Sequence, residues 1–223
     1  MPTLTAMLTD AAIRKALAPQ VADLHGGPPK TLIYDEFVVQ QGDARVDIAA
    51  VNGALHGYEI KSDCDRLVRL PRQAEIYSTV LDTVTLVTTA RHLAEARTLV
   101  PRWWGIWTAS GNSDAVQLSV RRKAKPNPAV NPRQVLELLW REEIRTLLEY
   151  FGLSRRGYVR ELRDRLAAQA PAGELLTMVR ESIRGRGDWR GRAKREAEER
   201  ERAYNDPTLF ADLDIDEFLR QLV

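Results

Sequence analysis

Three charged side chains, Asp47, Glu59 and Lys61, lie within an otherwise apolar stretch, RVDIAAVNGALHGYEIK, at residues 45–61. Two carboxylates a few ångströms apart repel each other unless a cation neutralises them, and their hard oxygen ligands suit Mg²⁺ or Mn²⁺. A lysine beside such a pair can stabilise the negative charge that develops on a reacting phosphate. Residues of these types therefore point to metal-assisted hydrolysis of phosphodiester bonds.

The stretch that carries these residues predicts a β-hairpin with strands at 45–51 and 54–61, joined at the Asn-Gly dipeptide 52–53. A two-residue turn would place Asp47 and Glu59 on opposite faces of the hairpin. A three-residue loop, or one bulge, would place both on the same face. We predict the loop or the bulge, because the proposed chemistry requires one face. The alternative is an exposed sheet face on which the charges only form a cross-strand pair.

The pattern Asp-x(11)-Glu-x-Lys is followed by Gln73-Ala-Glu-Ile-Tyr77, which matches a Q-x-x-x-Y motif. Together these residues resemble the RecB-like branch of the PD-(D/E)XK nuclease superfamily. The wider run from Glu36 to Trp104, with GYEIKSD, RLP-x-Q and PRWWGI, resembles a largely uncharacterised bacterial and phage family of that superfamily. The resemblance implies an α/β fold with a restriction-endonuclease-like mixed β-sheet core flanked by helices.

The resemblance also implies a role for each matching residue. Asp47 and Glu59 would bind Mg²⁺ (or Mn²⁺), Lys61 would position the attacking water, and two side chains of the next helix would orient the ligands or the DNA backbone. The proposed catalytic residues are Asp47, Glu59, Lys61, Gln73 and Tyr77, and the proposed metal ligands are Asp47, Glu59, the carbonyl group of Ile60, and Glu36.

Glu36 enters this set because the sequence departs from the superfamily pattern. The first predicted helix contains no clear match to the glutamate that many members place before the hairpin. Side-chain alternation on the predicted strand 32–39 would let either Asp35 or Glu36 face the metal, but not both. We choose Glu36 on the basis of the resemblance, and the alternative is an exposed strand carboxylate.

Apolar periodicity and turn signals predict the remaining elements. The predicted helices are 5–24, 71–81, 91–100, 132–151, 159–169 and 174–184, and the further predicted strands are 83–89, 105–108 and 115–120.

The proline-rich stretch KAKPNPAVNP, at 123–132, has the composition of a linker. It would divide a nuclease-like core, 1–122, from a basic helical module, 133–202, which an acidic amphipathic tail, 203–223, follows. Net charge supports the division: residues 1–120 carry −2, residues 121–202 carry +8 and residues 203–223 carry −4. A basic region of this kind suits a phosphate backbone, although ion-paired surface helices are the alternative.

Two helices of the C-terminal all-α module are joined by a short basic link, and the pair resembles a SAP-like DNA-binding module. We therefore predict DNA contacts from Arg155, Arg156 and Arg160. The tail 203–223 would dock on its own protein or on a protein partner.

Several classes of protein are not expected. No apolar run approaches the ~20 residues that span a bilayer, so no membrane association is predicted. There is no secretory signal, and the single cysteine, Cys64, allows no intrachain disulfide, so a cytoplasmic location is expected. The chain also lacks zinc-site spacing and a GxxxxGK[ST] phosphate loop.

These observations predict a Mg²⁺-dependent DNA nuclease that acts in DNA repair, restriction or conflict between phages and mobile elements. A non-catalytic DNA-binding or adaptor protein that keeps the nuclease fold is the alternative. RNA stays open as a substrate because no sequence feature reads the 2′-hydroxyl. The superfamily includes dimeric enzymes, so a homodimer is one expectation, although the sequence contains no coiled-coil heptads.

Overall fold

The computed structural model of the protein describes residues 7–28 and 30–186. Its centre is a six-stranded sheet in which the strands lie side by side in chain order. The strands are β1 (Leu32–Val39), β2 (Ala44–Val51), β3 (Leu55–Lys61), β4 (Thr83–Thr89), β5 (Gly105–Asn112) and β6 (Ala115–Arg122). The helices are α1 (Asp10–His25), α2 (Leu70–Val80), α3 (Ala90–Leu99), α4 (Pro132–Val135), α5 (Arg141–Tyr150), α6 (Val159–Gln169) and α7 (Ala172–Gly185).

The sheet is mixed. The pairs β1–β2, β2–β3 and β5–β6 are antiparallel, whereas the pairs β3–β4 and β4–β5 are parallel. Parallel neighbours need a crossover, and the helices α2 and α3 supply the two crossovers. The prediction of a mixed α/β sheet flanked by helices, with a further helical part at the C-terminal side, is confirmed.

The β2–β3 hairpin has the register that the candidate site requires. Val51 pairs with Leu55 and Ile48 with Tyr58, so the connection is a loop of three residues, 52–54. Its central residue, Gly53, has a φ of 102°, which favours glycine. With this register Asp47 and Glu59 fall on one face of the hairpin, which confirms the prediction of an odd-numbered loop.

Helix α1 packs against β2, β3 and β6. Ile13, Leu17 and Val21 are fully buried there, in a cluster that includes Ile48 and Ile60. Each such side chain stabilises the fold by about 1.5–3 kcal/mol. The hydroxyl of Thr9 accepts a hydrogen bond from the Ala12 N–H and so caps the helix.

The single helix predicted over 132–151 is wrong. Helix α4 ends at Val135, a 3₁₀ turn follows at Leu136–Leu138, and α5 begins at Arg141. Trp140 has an extended backbone, and its N–H donates to the Glu143 carboxylate, which restarts the helix. The break lets the apolar residues before and after it, Leu136 and Ile144 among them, become buried.

Contacts group the described residues up to Gly185 into one compact unit, so the helices up to α7 belong with the sheet. The proline-rich stretch is itself hydrogen-bonded: Asn127 donates from Nδ2 to the carbonyl oxygens of Ser78 and Leu81. Arg180 on α7 forms an ion pair with Asp82. Whether 1–122 folds alone stays a prediction.

The predictions for residues 187–202 and for the acidic tail 203–223 lie outside the described residues. In the described part of the chain, no helix is long and apolar enough to cross a membrane.

Candidate active site

The site forms where β2 and β3 separate. Their ladder runs from Val51–Leu55 to Ile48–Tyr58 and does not continue to Asp47 and Glu59. The Asp47 carboxylate fills the gap, and its Oδ2 accepts a hydrogen bond of 2.7 Å from the Ile60 N–H. A backbone donor of β3 therefore fixes the position of a carboxylate from β2.

Glu59 is held by donors from two elements. Its Oε1 accepts from Lys61 Nζ at 2.5 Å and from Gln73 Nε2 at 2.6 Å. Its Oε2 lies 2.8 Å from the Tyr77 hydroxyl. Gln73 and Tyr77 face Glu59 together because they are one turn apart on α2. The side chains of Glu59 and Lys61 are only 2% and 4% exposed, so this ion pair is buried.

The Tyr77 hydroxyl also lies 2.7 Å from the Arg45 carbonyl oxygen, and its single proton serves one of these two acceptors at a time. Burial, followed by the charge of Glu59, raises the pKa of Tyr77, so the hydroxyl stays protonated. Tyr77 is fully buried. Its contacts suit the orientation of Glu59, which is one of the two roles that the resemblance implies.

Arg14 on α1 reaches the same place, and the sequence reasoning missed it. Its Nη2 lies 2.9 Å from Asp47 Oδ1, and its Nη1 donates to the Asp47 carbonyl oxygen at 2.7 Å. Nη2 is also 2.9 Å from Glu36 Oε1, and Nε is 3.3 Å from Asp10 Oδ1. Burial lowers the pKa of Arg14, but the charges of Asp47, Asp10 and Glu36 raise it overall.

Asp10, which lines the cavity beside Arg14, was also missed as a site residue. The sequence did contain a pattern that could have indicated Asp10 and Arg14. Positions 10, 14, 17 and 21 share one face of a helix, and on this face the apolar Leu17 and Val21 follow the charged Asp10 and Arg14.

Glu36 lies at an irregularity in β1. Its φ is +56°, which is uncommon for a residue other than glycine, and the residues on either side of it pair normally with β2. Glu36 forms ion pairs with Arg14 and Arg45. Of the two acidic residues of β1, Glu36 lines the cavity, whereas Asp35 is exposed and is not among the described lining residues, although its Oδ1 lies 4.0 Å from Arg14 Nη1. The choice of Glu36 as a metal ligand stays a prediction.

Asp47 carries an unfavourable charge in this environment. Burial, followed by the charge of Glu59, raises its pKa to about 7, although the Ile60 N–H, Arg14 and Lys61 act in the opposite direction. The cations and donors present therefore do not fully offset the cost of burying the Asp47 charge and its repulsion by Glu59.

These side chains line one cavity of about 640 Å³. Its described lining includes all of the predicted catalytic and metal-binding residues except Tyr77, which lies behind Glu59. Arg45, Arg69 and Arg72, all exposed, lie on its rim. The predicted DNA-binding residues Arg155, Arg156 and Arg160 are exposed too, but the described lining of the cavity does not include them.

The donor set suits Mg²⁺ in a water-rich site. Within residues 7–28 and 30–186, no three His, Cys, Asp or Glu side chains group as a metal site. Mg²⁺ does not require three, because it commonly binds through one or two carboxylates and keeps several waters. Asp47 and Glu59 supply two carboxylates, and Ile60 lines the same cavity. The buried Oε1 of Gln73 has no hydrogen-bond partner among the described residues, so an acceptor is left over for a bound water.

Fold and cavity together define a mixed α/β protein with a site of paired carboxylates, a buried lysine and an arginine. Comparison with known proteins gives the family: the chain belongs to the bacteriophage P4 protein cII family, whose model matches residues 11–203.

One similar protein is protein cII of Enterobacteria phage P4, which is 28% identical over 155 residues. The match covers 69% of this chain and 59% of that protein, so the chain spans less than two thirds of its relative's length. A protein of unknown function from Silicibacter pomeroyi has a structure with a TM-score of 0.38 and 22% identity. That match covers 60% of this chain and 88% of the other, and a TM-score this low supports no argument.

Proposed function

We propose that the protein is a metal-dependent nuclease that hydrolyses DNA phosphodiester bonds. The observation that carries the proposal is the convergence of Asp47, Glu59 and Lys61 in one cavity, with Gln73 and Tyr77 bonded to Glu59. The resemblance to the PD-(D/E)XK superfamily motivates the same assignment from the sequence. Membership of a bacteriophage-named family favours a setting in phage or mobile-element biology over the other settings considered.

Each residue has a task in this proposal. A bound Mg²⁺ would supply Lewis-acid activation of the phosphate and of a water molecule. Asp47 and Glu59 would hold it, and Lys61 would place a positive charge where negative charge develops on the phosphate. The Ile60 N–H and the Gln73 amide keep the two carboxylates in position, so little reorganisation is needed during reaction.

The rim of the cavity suits a nucleic-acid backbone. Arg45, Arg69 and Arg72 line the same cavity as the acidic residues and are exposed, and guanidinium groups bind phosphates bidentately. Phosphate contacts of this kind position a substrate without reading its sequence. In the helical part, Arg155, Arg156 and Arg160 are candidates for further backbone contacts.

A non-catalytic DNA-binding or adaptor protein is the second candidate, and one observation favours it. Arg14 and Lys61 already place one cation beside each carboxylate, so the cluster has counter-ions of its own without a metal. A protein that kept the fold but lost catalysis could retain such a cluster for stability alone.

Cleavage assays separate the two candidates. Supercoiled, linear and single-stranded DNA, and single-stranded RNA, are incubated with the protein in Mg²⁺, Mn²⁺ or EDTA. We expect metal-dependent cleavage of DNA that Asp47→Asn lowers by at least about 100-fold. Asp43→Asn is the matched control, because Asp43 is an exposed carboxylate on the same cavity, and its rate should stay close to that of the wild type.

Cleavage that persists in Asp47→Asn or in EDTA would contradict the proposed site. Tight binding of DNA without cleavage of any substrate would favour the adaptor.

A further inference from the structure

Arg14 lies among acidic side chains in the cavity, and its contacts are those of a counter-ion. Four oxygen atoms from three residues lie within 3.3 Å of its guanidinium nitrogens: two of Asp47 and one each of Glu36 and Asp10. Asp35 Oδ1 lies 4.0 Å away. The Arg14 side chain is 22% exposed, so water screens these charges only in part.

The contacts of Arg14 include the carboxylate that a metal would need. Asp47 Oδ1 is the oxygen that faces Arg14, whereas Oδ2 already accepts from the Ile60 N–H. A cation that binds through Oδ1 therefore shares that oxygen with Arg14 or displaces the guanidinium from it. A cation that binds through the remaining lone pair of Oδ2 still lies on the same carboxylate as the guanidinium. Two positive charges on one carboxylate repel each other in a partly buried site.

We propose that Arg14 is an internal counter-ion that competes with a divalent cation for Asp47 and so weakens metal binding at this site. The inference rests on the metal site of the proposed function. It assigns a role to a residue outside the predicted catalytic set: Arg14 holds Asp47 in the metal-free protein and sets the cation concentration at which the site fills.

Titration of the purified full chain with Mn²⁺ tests this directly, with free Mn²⁺ measured by electron paramagnetic resonance and no nucleic acid present. Arg14→Gln should bind Mn²⁺ about 10- to 100-fold more tightly than the wild type, because one charge next to Asp47 is removed. Arg14→Lys should lie between the two, since an ammonium group cannot hold the Asp47 carbonyl and carboxylate oxygens together as the fork does.

Lys15→Gln is the matched control for the loss of one positive charge near Arg14. Lys15 is the next residue of α1, but its side chain is exposed and it is not among the described residues that line the cavity. We expect it to change the Mn²⁺ affinity by less than about threefold. Circular dichroism checks that each variant is folded, and Arg14→Lys carries the test if Arg14→Gln does not fold.

The outcomes distinguish this inference from the proposed function. Tighter Mn²⁺ binding by the Arg14 variants supports it, including the case in which only the variants bind. Equal or weaker binding by the variants, with a wild type that binds Mn²⁺, overturns the competition and leaves the nuclease proposal standing. Absence of Mn²⁺ binding in the wild type and in both variants overturns the metal site and the competition together.

Discussion

The buried ion pair between Lys61 and Glu59 makes a prediction about stability that does not depend on function. Removing one partner of a buried pair leaves an uncompensated charge and typically costs about 3–5 kcal/mol. After Lys61→Met, Glu59 keeps its donors Gln73 and Tyr77, so we expect the lower end, about 3 kcal/mol. For a protein of this size that corresponds to a fall in melting temperature of about 6–12 °C.

A double-mutant cycle isolates the pair. Glu59→Gln alone leaves Lys61 buried without its carboxylate and should cost a similar amount. The double variant removes both charges, so it should be clearly more stable than the sum of the two single changes predicts. The matched control is Arg72→Met, because the Arg72–Glu75 pair is 67% and 70% exposed and should shift the melting temperature by less than about 2 °C.

Thermal and urea unfolding in EDTA at pH 7.5, followed by circular dichroism, measure all four variants. A Lys61→Met protein that melts within about 2 °C of the wild type would refute the buried-pair reasoning. So would additive single changes in the cycle. The result also governs the cleavage assay: a loss of activity in a Lys61 variant reports on catalysis only at temperatures where that variant is folded.

Two further predictions concern pH. Because the pKa of Asp47 rises on folding to about 7, its ionisation destabilises the metal-free protein as pH increases from about 4 through 7. Asp47→Asn should therefore stabilise the metal-free protein in EDTA at pH 8. The free energy of unfolding should rise by about 1–2 kcal/mol once the lost Arg14 contact is subtracted, and urea titrations should show no such gain at pH 5. Burial, then the charge of His25, lowers the pKa of His56 to about 4. The stabilisation that comes from keeping His56 neutral is complete above about pH 6.5 and is lost toward pH 4, where the free energy of unfolding falls by at most about 3 kcal/mol. Urea titrations should show that the free energy of unfolding of His56→Gln depends less on pH over that range than that of the wild type.

Features of the fold that depend on nearby residues were predictable from the sequence. The strand predicted at 83–89 and the helix at 159–169 have those same bounds in the structure, because their composition and flanking turn residues specify them locally. The odd-numbered loop of the hairpin followed from requiring one face for Asp47 and Glu59. The break in the helix predicted over 132–151 did not follow, because its apolar positions suit one helix as well as two, and packing decides between them.

The geometry at Glu36 shows a second limit. Alternation along a strand is reliable while the backbone stays extended. The positive φ of Glu36 interrupts that geometry at one residue, beside the point where β2 and β3 separate, and Glu36 there forms its ion pair with Arg14. The sequence does not predict this irregularity, because glutamate is not a residue that favours positive φ.

Arg14 was not predicted as a site residue because a metal was expected to be the cation that neutralises the two carboxylates. Paired carboxylates require a cation, and a metal is the cation that their residue types suggest. The chain must nevertheless fold before a metal binds, with Asp47 partly and Glu59 almost wholly out of water. A buried charge without a partner is too costly for that state, so each carboxylate needs a counter-ion from the chain itself. Lys61 serves Glu59 from the same strand, two residues away, whereas Arg14 serves Asp47 from a distant helix. The same reasoning that predicts a metal therefore predicts a competing internal cation.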